Sequence, residues 1–201
     1  MTKYTLIGWD PPGYGKSRPP DKVFKDWYKV DAQLALKFFD LLGLDKFCLL
    51  GYSDGARTAL YVASWVPEKI EKLVVWGVST YITPKERRWI SLIRDVSGWS
   101  NERRDIFEKI YGNDLQTIWG KWCDSYIGTL AIPRDVVAKI KSPTLILQGE
   151  KDIITSVEPH LNFMKTAIKG SKTYLFKNAS HGCHQDYPAQ FNKMVMDFLD
   201  K

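Results

Sequence analysis

Cysteine is scarce in this 201-residue chain: Cys48, Cys123 and Cys183 are an odd number, lie far apart and form no Cys-x-x-Cys pair. That argues against a disulfide framework and against a zinc ribbon, and a reducing, intracellular setting fits best. Histidine is equally sparse, with only His160, His181 and His184. No apolar run is long enough to span a membrane, and the start Met1-Thr2-Lys3-Tyr4 lacks the architecture of a signal peptide. A soluble protein is expected. Internal repeats and low-complexity linkers are absent too, and the length suits one domain with a sizeable core.

What is present is the balance of a globular protein, with 44% hydrophobic and 26% charged residues. The formal charge of +6 is dispersed, with short clusters at Lys85-Glu86-Arg87-Arg88 and Arg103-Arg104. A nucleic-acid footprint gathers its charge on one face or in a run, so a solvated basic surface is the reading and no nucleic-acid partner is expected. Aromatics reach 13%, including 8 Trp. Much of this lies between Trp65 and Trp122, in a region expected to line or cover something apolar.

Short aliphatic runs alternate with longer helical patterns. Strands are expected at Tyr4 to Trp9, Lys46 to Leu50, Lys72 to Trp76, Thr144 to Gln148 and Thr173 to Phe176. Helices are expected at Trp27 to Leu42, at Ala56 to Trp65 and at Pro188 to Leu199. The first places Trp27, Val30, Leu34, Phe38 and Leu41 at helical spacing; the last places Phe191, Met194, Val195 and Phe198 on one face. This alternation implies an α/β fold, a mostly parallel sheet with helices on both faces. Between Tyr81 and Ile140 the alternation gives way to helical segments, read as an insertion that forms a lid over the sheet's carboxyl edge. The chain is therefore expected to be one domain, 1–201, with its core at 1–80 and 141–201 and a helical lid at about 81–140.

Gly51-Tyr52-Ser53-Asp54-Gly55 carries the chemistry. A serine hydroxyl needs a base to remove its proton and a backbone that presents it. The Gly-x-Ser-x-Gly pattern presents it on a sharp strand-to-helix turn, with flanking glycines that let strand and helix approach. An apolar strand runs into the motif and a helix runs out of it, as the pattern requires. A base should follow on a loop after a later strand, and His181 stands in Lys177-Asn178-Ala179-Ser180-His181-Gly182. His184 is its near neighbour and rival, while His160 lies inside a helical pattern and reads as a surface residue. The acid should follow Thr144 to Gln148, where Asp152 is the better candidate and Glu150 the alternative. A carboxylate there would hold the imidazole tautomer and stabilise the imidazolium. Catalytic Ser53, His181 and Asp152 thus come in the order serine, acid, histidine, each acid or base after its own strand.

That order, together with Trp9-Asp10-Pro11-Pro12-Gly13-Tyr14-Gly15-Lys16-Ser17, resembles the α/β-hydrolase fold family. The stretches Gly51 to Gly55, Trp76-Gly77, Ile93-Arg94-Asp95-Val96-Ser97 and Gly149-Glu150-Lys151-Asp152 are similar to its valacyclovir-hydrolase-like branch. The resemblance implies a serine esterase acting on esters of α-amino acids, with Asp54 binding the substrate ammonium group. It also implies one oxyanion-hole N–H from Asp54 and a second from the loop after the family's third strand. The chain starts at what resembles the fourth strand, so the N-terminal strands and that loop are expected to be absent. An anion beside the nucleophile favours a cationic acyl group on chemical grounds as well; the alternative role for Asp54 is to cap the following helix.

Three rival readings remain. Gly15-Lys16-Ser17 after a strand suggests a phosphate-binding loop, but Asp10 stands where that motif needs glycine. His181, Cys183 and His184 could ligate a metal, yet they fall within four residues and no clear fourth ligand is near. The third is a catalytically impaired, hydrolase-fold binding protein. The reading carried forward is a serine esterase without cofactor or metal, acting on a small-molecule ester as a monomer that needs no membrane. By resemblance, a mitochondrial location is one possibility.

Overall fold

The computed structural model describes residues 3–128 and 131–201. Four strands form one sheet in the order β1-β2-β3-β4, all parallel: β1 (Phe47–Tyr52), β2 (Ile70–Trp76), β3 (Thr144–Gly149) and β4 (Lys172–Phe176). Helix α1 (Trp27–Leu41) precedes β1, and α2 (Asp54–Trp65) connects β1 to β2. Between β2 and β3 come α3 (Pro84–Leu92), α4 (Asn101–Tyr111), α5 (Leu115–Gly128) and the short α6 (Arg134–Val137). Helix α7 (Val157–Ala167) joins β3 to β4, and α8 (Cys183–Asp186) and α9 (Pro188–Leu199) close the chain.

Strand alternation sorts the core into two layers, because successive side chains point to opposite faces. Leu73, Val75 and Ile146 face one buried cluster with Trp27, Ala32, Ala56, Leu60 and Met164 from α1, α2 and α7. Val74, Leu145 and Leu147 face the other, with Phe176, Phe191 and Val195. Helices therefore cover both faces, and central β3 is buried at every position. A third cluster, Ile90, Cys123 and Tyr126, lies within the insertion between β2 and β3. Among the described residues that insertion contains no strand.

Two local expectations are corrected. Tyr4 to Trp9 forms no strand. A strand exists by virtue of its ladder, and this segment pairs with no strand among the described residues: β1 is the sheet's edge, and a cavity of about 350 Å³ is lined both by β1 and by Ile7, Gly8, Trp9 and Tyr14. Helix α1, in turn, buries Trp27, Tyr28, Asp31, Ala32 and Ala35, whereas Val30 and Leu41 are exposed. The two alanines sit on the face that packs against α2, where small side chains allow close approach. On that same face Lys22 donates to both oxygens of buried Asp31, at 2.5 and 2.7 Å, which ties the preceding loop to the helix.

Candidate active site

Ser53 stands between β1 and α2 with φ 52° and ψ −116°. A non-glycine residue in that region is strained, and strain of this kind persists only where the surroundings enforce it. Here the enforcement is close packing at Gly51: a Cβ there would come within 2.7 Å of the Ala56 Cα. The expectation that both flanking glycines serve this purpose holds for Gly51 alone, since a Cβ at Gly55 would meet nothing within 4 Å. The Ser53 N–H is anchored by donating to the Trp76 carbonyl at 3.0 Å, across the β1–β2 boundary.

The structure brings Ser53, His181 and Asp152 together. His181 Nε2 lies 3.0 Å from Ser53 Oγ, and its Nδ1 lies 2.7 Å from Asp152 Oδ2. Asp152 is 4% exposed and collects three further donors. Gln148 Nε2 reaches Oδ2 at 2.8 Å, and the N–H groups of Ile154 and Thr155 each reach Oδ1 at 2.8 Å. The carboxylate thus has four hydrogen-bonding neighbours, two at each oxygen. As an acceptor it requires Nδ1 to carry the proton, which leaves the Nε2 lone pair facing the serine hydroxyl. The His181 loop is seated tightly on β3: a side chain at Gly149 would collide with the Ser180 carbonyl.

The alternatives go elsewhere. Glu150 is exposed and accepts from the Asn178 N–H at 2.9 Å, bracing the β4 loop. His184 Nδ1 accepts from the Trp76 indole at 3.0 Å, and burial, with the charge of neighbouring His181, lowers its pKa. His160 corrects the surface reading: it is 1% exposed. Its Nδ1 accepts from the Thr80 N–H at 3.4 Å, so Nε2 is the donor to Glu86, 2.7 Å away. Glu86 also accepts from the Thr83 and Ser156 N–H groups, at 2.7 and 2.6 Å, closing the capping box of α3 and joining α3 to α7. This role was hidden because Glu86 and His160 are far apart in sequence.

Asp54, next to Ser53, is half-buried. Its N–H occupies the first position of α2, where no intrahelical acceptor exists. Its carboxylate does not cap the helix. Instead Oδ1 accepts from the Tyr28 hydroxyl at 2.8 Å and Oδ2 from the Trp122 indole at 2.6 Å. Sequence reasoning missed Tyr28, Trp122 and Gln148 as site residues. A polar Gln148 at the end of an otherwise aliphatic strand was the available signal for one of them. Tyr52, beneath His181 at 5.1 Å between ring centroids, has its phenol pKa pushed up to about 12 by burial.

Comparison with known proteins agrees with the fold. A model of the alpha/beta hydrolase fold matches residues 2–117. The chain is 38% identical to mouse (Mus musculus) serine hydrolase BPHL over 98% of its length and 70% of that protein. It is 37% identical to the human (Homo sapiens) serine hydrolase BPHL over 98% of its length and 69% of that protein. Among solved structures, the 2-hydroxy-6-oxo-6-phenylhexa-2,4-dienoate hydrolase of Rhodococcus sp. strain RHA1 superposes with a TM-score of 0.78 at 16% identity, covering 96% of this chain and 78% of that one. No helix among the described residues is long and apolar enough to cross a membrane.

Proposed function

The chain belongs to the α/β-hydrolase family, and from that premise we propose that it is a serine esterase that cleaves esters of α-amino acids. The observation that carries this reading is the continuous chain Ser53–His181–Asp152 at 3.0 and 2.7 Å, with a carboxylate, Asp54, beside the nucleophile.

Ser53 Oγ attacks the ester carbonyl while His181 Nε2 takes its proton. The negative charge of the tetrahedral intermediate is met by the Asp54 N–H, which has no competing helical acceptor. Asp152 keeps His181 in the required tautomer and stabilises the imidazolium. The proton then passes from Nε2 to the leaving alcohol, and water, activated by the same nitrogen, releases the acid and restores Ser53. The Asp54 carboxylate accepts from the substrate's ammonium group, which lies one carbon from the reacting carbonyl. Within this reading the chain is one domain, and the segment 81–140 is the lid, its Trp122 reaching the site directly. The partner is a small-molecule ester; no cofactor, metal, nucleic acid or membrane takes part, and the chain acts as a monomer inside the cell.

The test is hydrolysis of an L-valine ester and of the isovaleryl ester of the same alcohol, with Ser53→Ala as control. Serine-dependent turnover with preference for the valine ester supports the proposal. A folded chain that hydrolyses neither leaves a binding role on a hydrolase scaffold in its place.

A further inference from the structure

One turn into α2 lies a charge that the reaction does not use. Arg57 is 4% exposed in the middle of an apolar helix face. Its hydrogen-bond partners among the described residues include no carboxylate: Nε donates to the Ser79 carbonyl at 2.8 Å, Nη1 to the Tyr28 hydroxyl at 2.7 Å, and Nη2 to the Ser79 hydroxyl and to the Tyr126 hydroxyl. The guanidinium also lies over the rings of Tyr126 and Tyr28, at 4.2 and 5.0 Å from their centroids. A buried cation without compensation is costly; these acceptors and rings share in it, and the link to a carboxylate, Asp54, runs through one hydroxyl, that of Tyr28.

The direction of that link is fixed by chemistry. Arginine can only donate, so the Tyr28 oxygen must accept from Nη1. Its own proton is then free for Asp54 Oδ1, 2.8 Å away. Arg57 and Asp54 thus form an ion pair bridged by a tyrosine. With Trp122 holding Oδ2 at 2.6 Å, the carboxylate is gripped at both oxygens, and each oxygen keeps a further lone pair. Released from this grip, an aspartate at the first position of a helix has ready local alternatives in the free N–H groups of the first turn.

We propose that Arg57 and Tyr28 are positioning residues that set the specificity of the site: the relay holds the Asp54 carboxylate away from the α2 N-terminus, in the orientation that accepts a substrate ammonium. The inference rests on the reading of Asp54 as the ammonium site. It goes beyond that reading in making a buried cation, out of reach of any substrate, a determinant of which esters are chosen.

The experiment measures kcat/KM for an L-valine ester over that for the isovaleryl ester of the same alcohol. This ratio cancels any general loss of folded enzyme. Tyr28→Phe is expected to lower it about tenfold, mainly through KM of the valine ester, the effect of one hydrogen bond to a charged group. Tyr126→Phe removes a different partner of Arg57 and leaves the Tyr28–Asp54 bond in place, so the ratio stays within about twofold. If Tyr28→Phe orphans the buried charge and fails to fold, the double variant Tyr28→Phe/Arg57→Leu removes charge and relay together and should show the same tenfold fall. An unchanged ratio in the folded Tyr28 variant, or equal falls in the Tyr28 and Tyr126 variants, would overturn the relay. Asp54→Asn separates the two levels: a lowered ratio there with none in Tyr28→Phe rejects only the relay, whereas no change in Asp54→Asn rejects the ammonium site and the relay with it.

Discussion

Two carboxylates lie beside the Ser53–His181 pair, and they are held in opposite ways. Asp152 is fixed by its own neighbourhood: the N–H groups of Ile154 and Thr155 lie two and three residues ahead, and Gln148 four behind. Asp54 is fixed from far away, by Tyr28 of α1 and Trp122 of α5. The first arrangement is built into one strand-loop and depends little on the rest of the molecule. The second exists only when α1, α2 and the inserted helices are packed together. Under the proposed function, a local cradle suits a group whose single task is to orient His181 in every turnover. Under the same proposal, a cradle assembled from several elements would couple substrate preference to the position of the insertion.

Breaking each cradle should therefore give different kinetics. The largest effect is expected at Asp152: Asp152→Asn should lower kcat by about 10³ to 10⁴, by presenting the wrong partner to Nδ1, and should do so equally for amino and des-amino esters. Steady-state kinetics on both substrates reads this directly. Asp54→Asn should lower kcat/KM for the amino ester by roughly 30- to 100-fold more than for its des-amino analogue.

Glu86 sharpens the contrast because it combines both modes, taking a local N–H from Thr83 and distant donors from Ser156 and His160. Burial opposes its charge, but the hydrogen bond to His160 and the two N–H donors outweigh that, so its pKa lies below the ordinary 4.5. A carboxyl depressed in this way contributes stability that is fully present above its unfolded pKa and is lost as the pH falls through its folded value. Glu86→Gln should cost about 2 kcal/mol at neutral pH and flatten the acid side of the stability curve below about pH 4.5, as followed by thermal melts. The smallest effect belongs to Gly55. Gly55→Ala should change stability by less than about 1 kcal/mol, whereas Gly51→Ala must push α2 from β1 and should lower both stability and turnover.

The same division between local and distant determinants explains what the sequence disclosed. Strands β1 to β4 and helix α9 were legible because apolar runs and a 3.6-residue period are local signals, and the meeting of Ser53, Asp152 and His181 was legible because each follows its own strand. Tyr4 to Trp9 has a strand's composition, but a ladder needs a neighbour, and the pattern carries no information about one. His160 looked like a surface residue because its partner Glu86 lies on another helix. Arg57 gave one hint, a lone cation on an apolar face, yet its meaning depends on Tyr28, Ser79 and Tyr126, which only the folded chain gathers. Asp54 could be placed beside the nucleophile from the motif alone; what holds its carboxylate could not.

The central claim is that Ser53 is an activated nucleophile, and it is tested most directly by labelling the folded chain with a fluorophosphonate and mapping the adduct by mass spectrometry. The account predicts one adduct per chain, on Ser53, formed rapidly in the wild type and suppressed in His181→Ala. A folded protein that remains unlabelled, or one that labels at another residue, would contradict it.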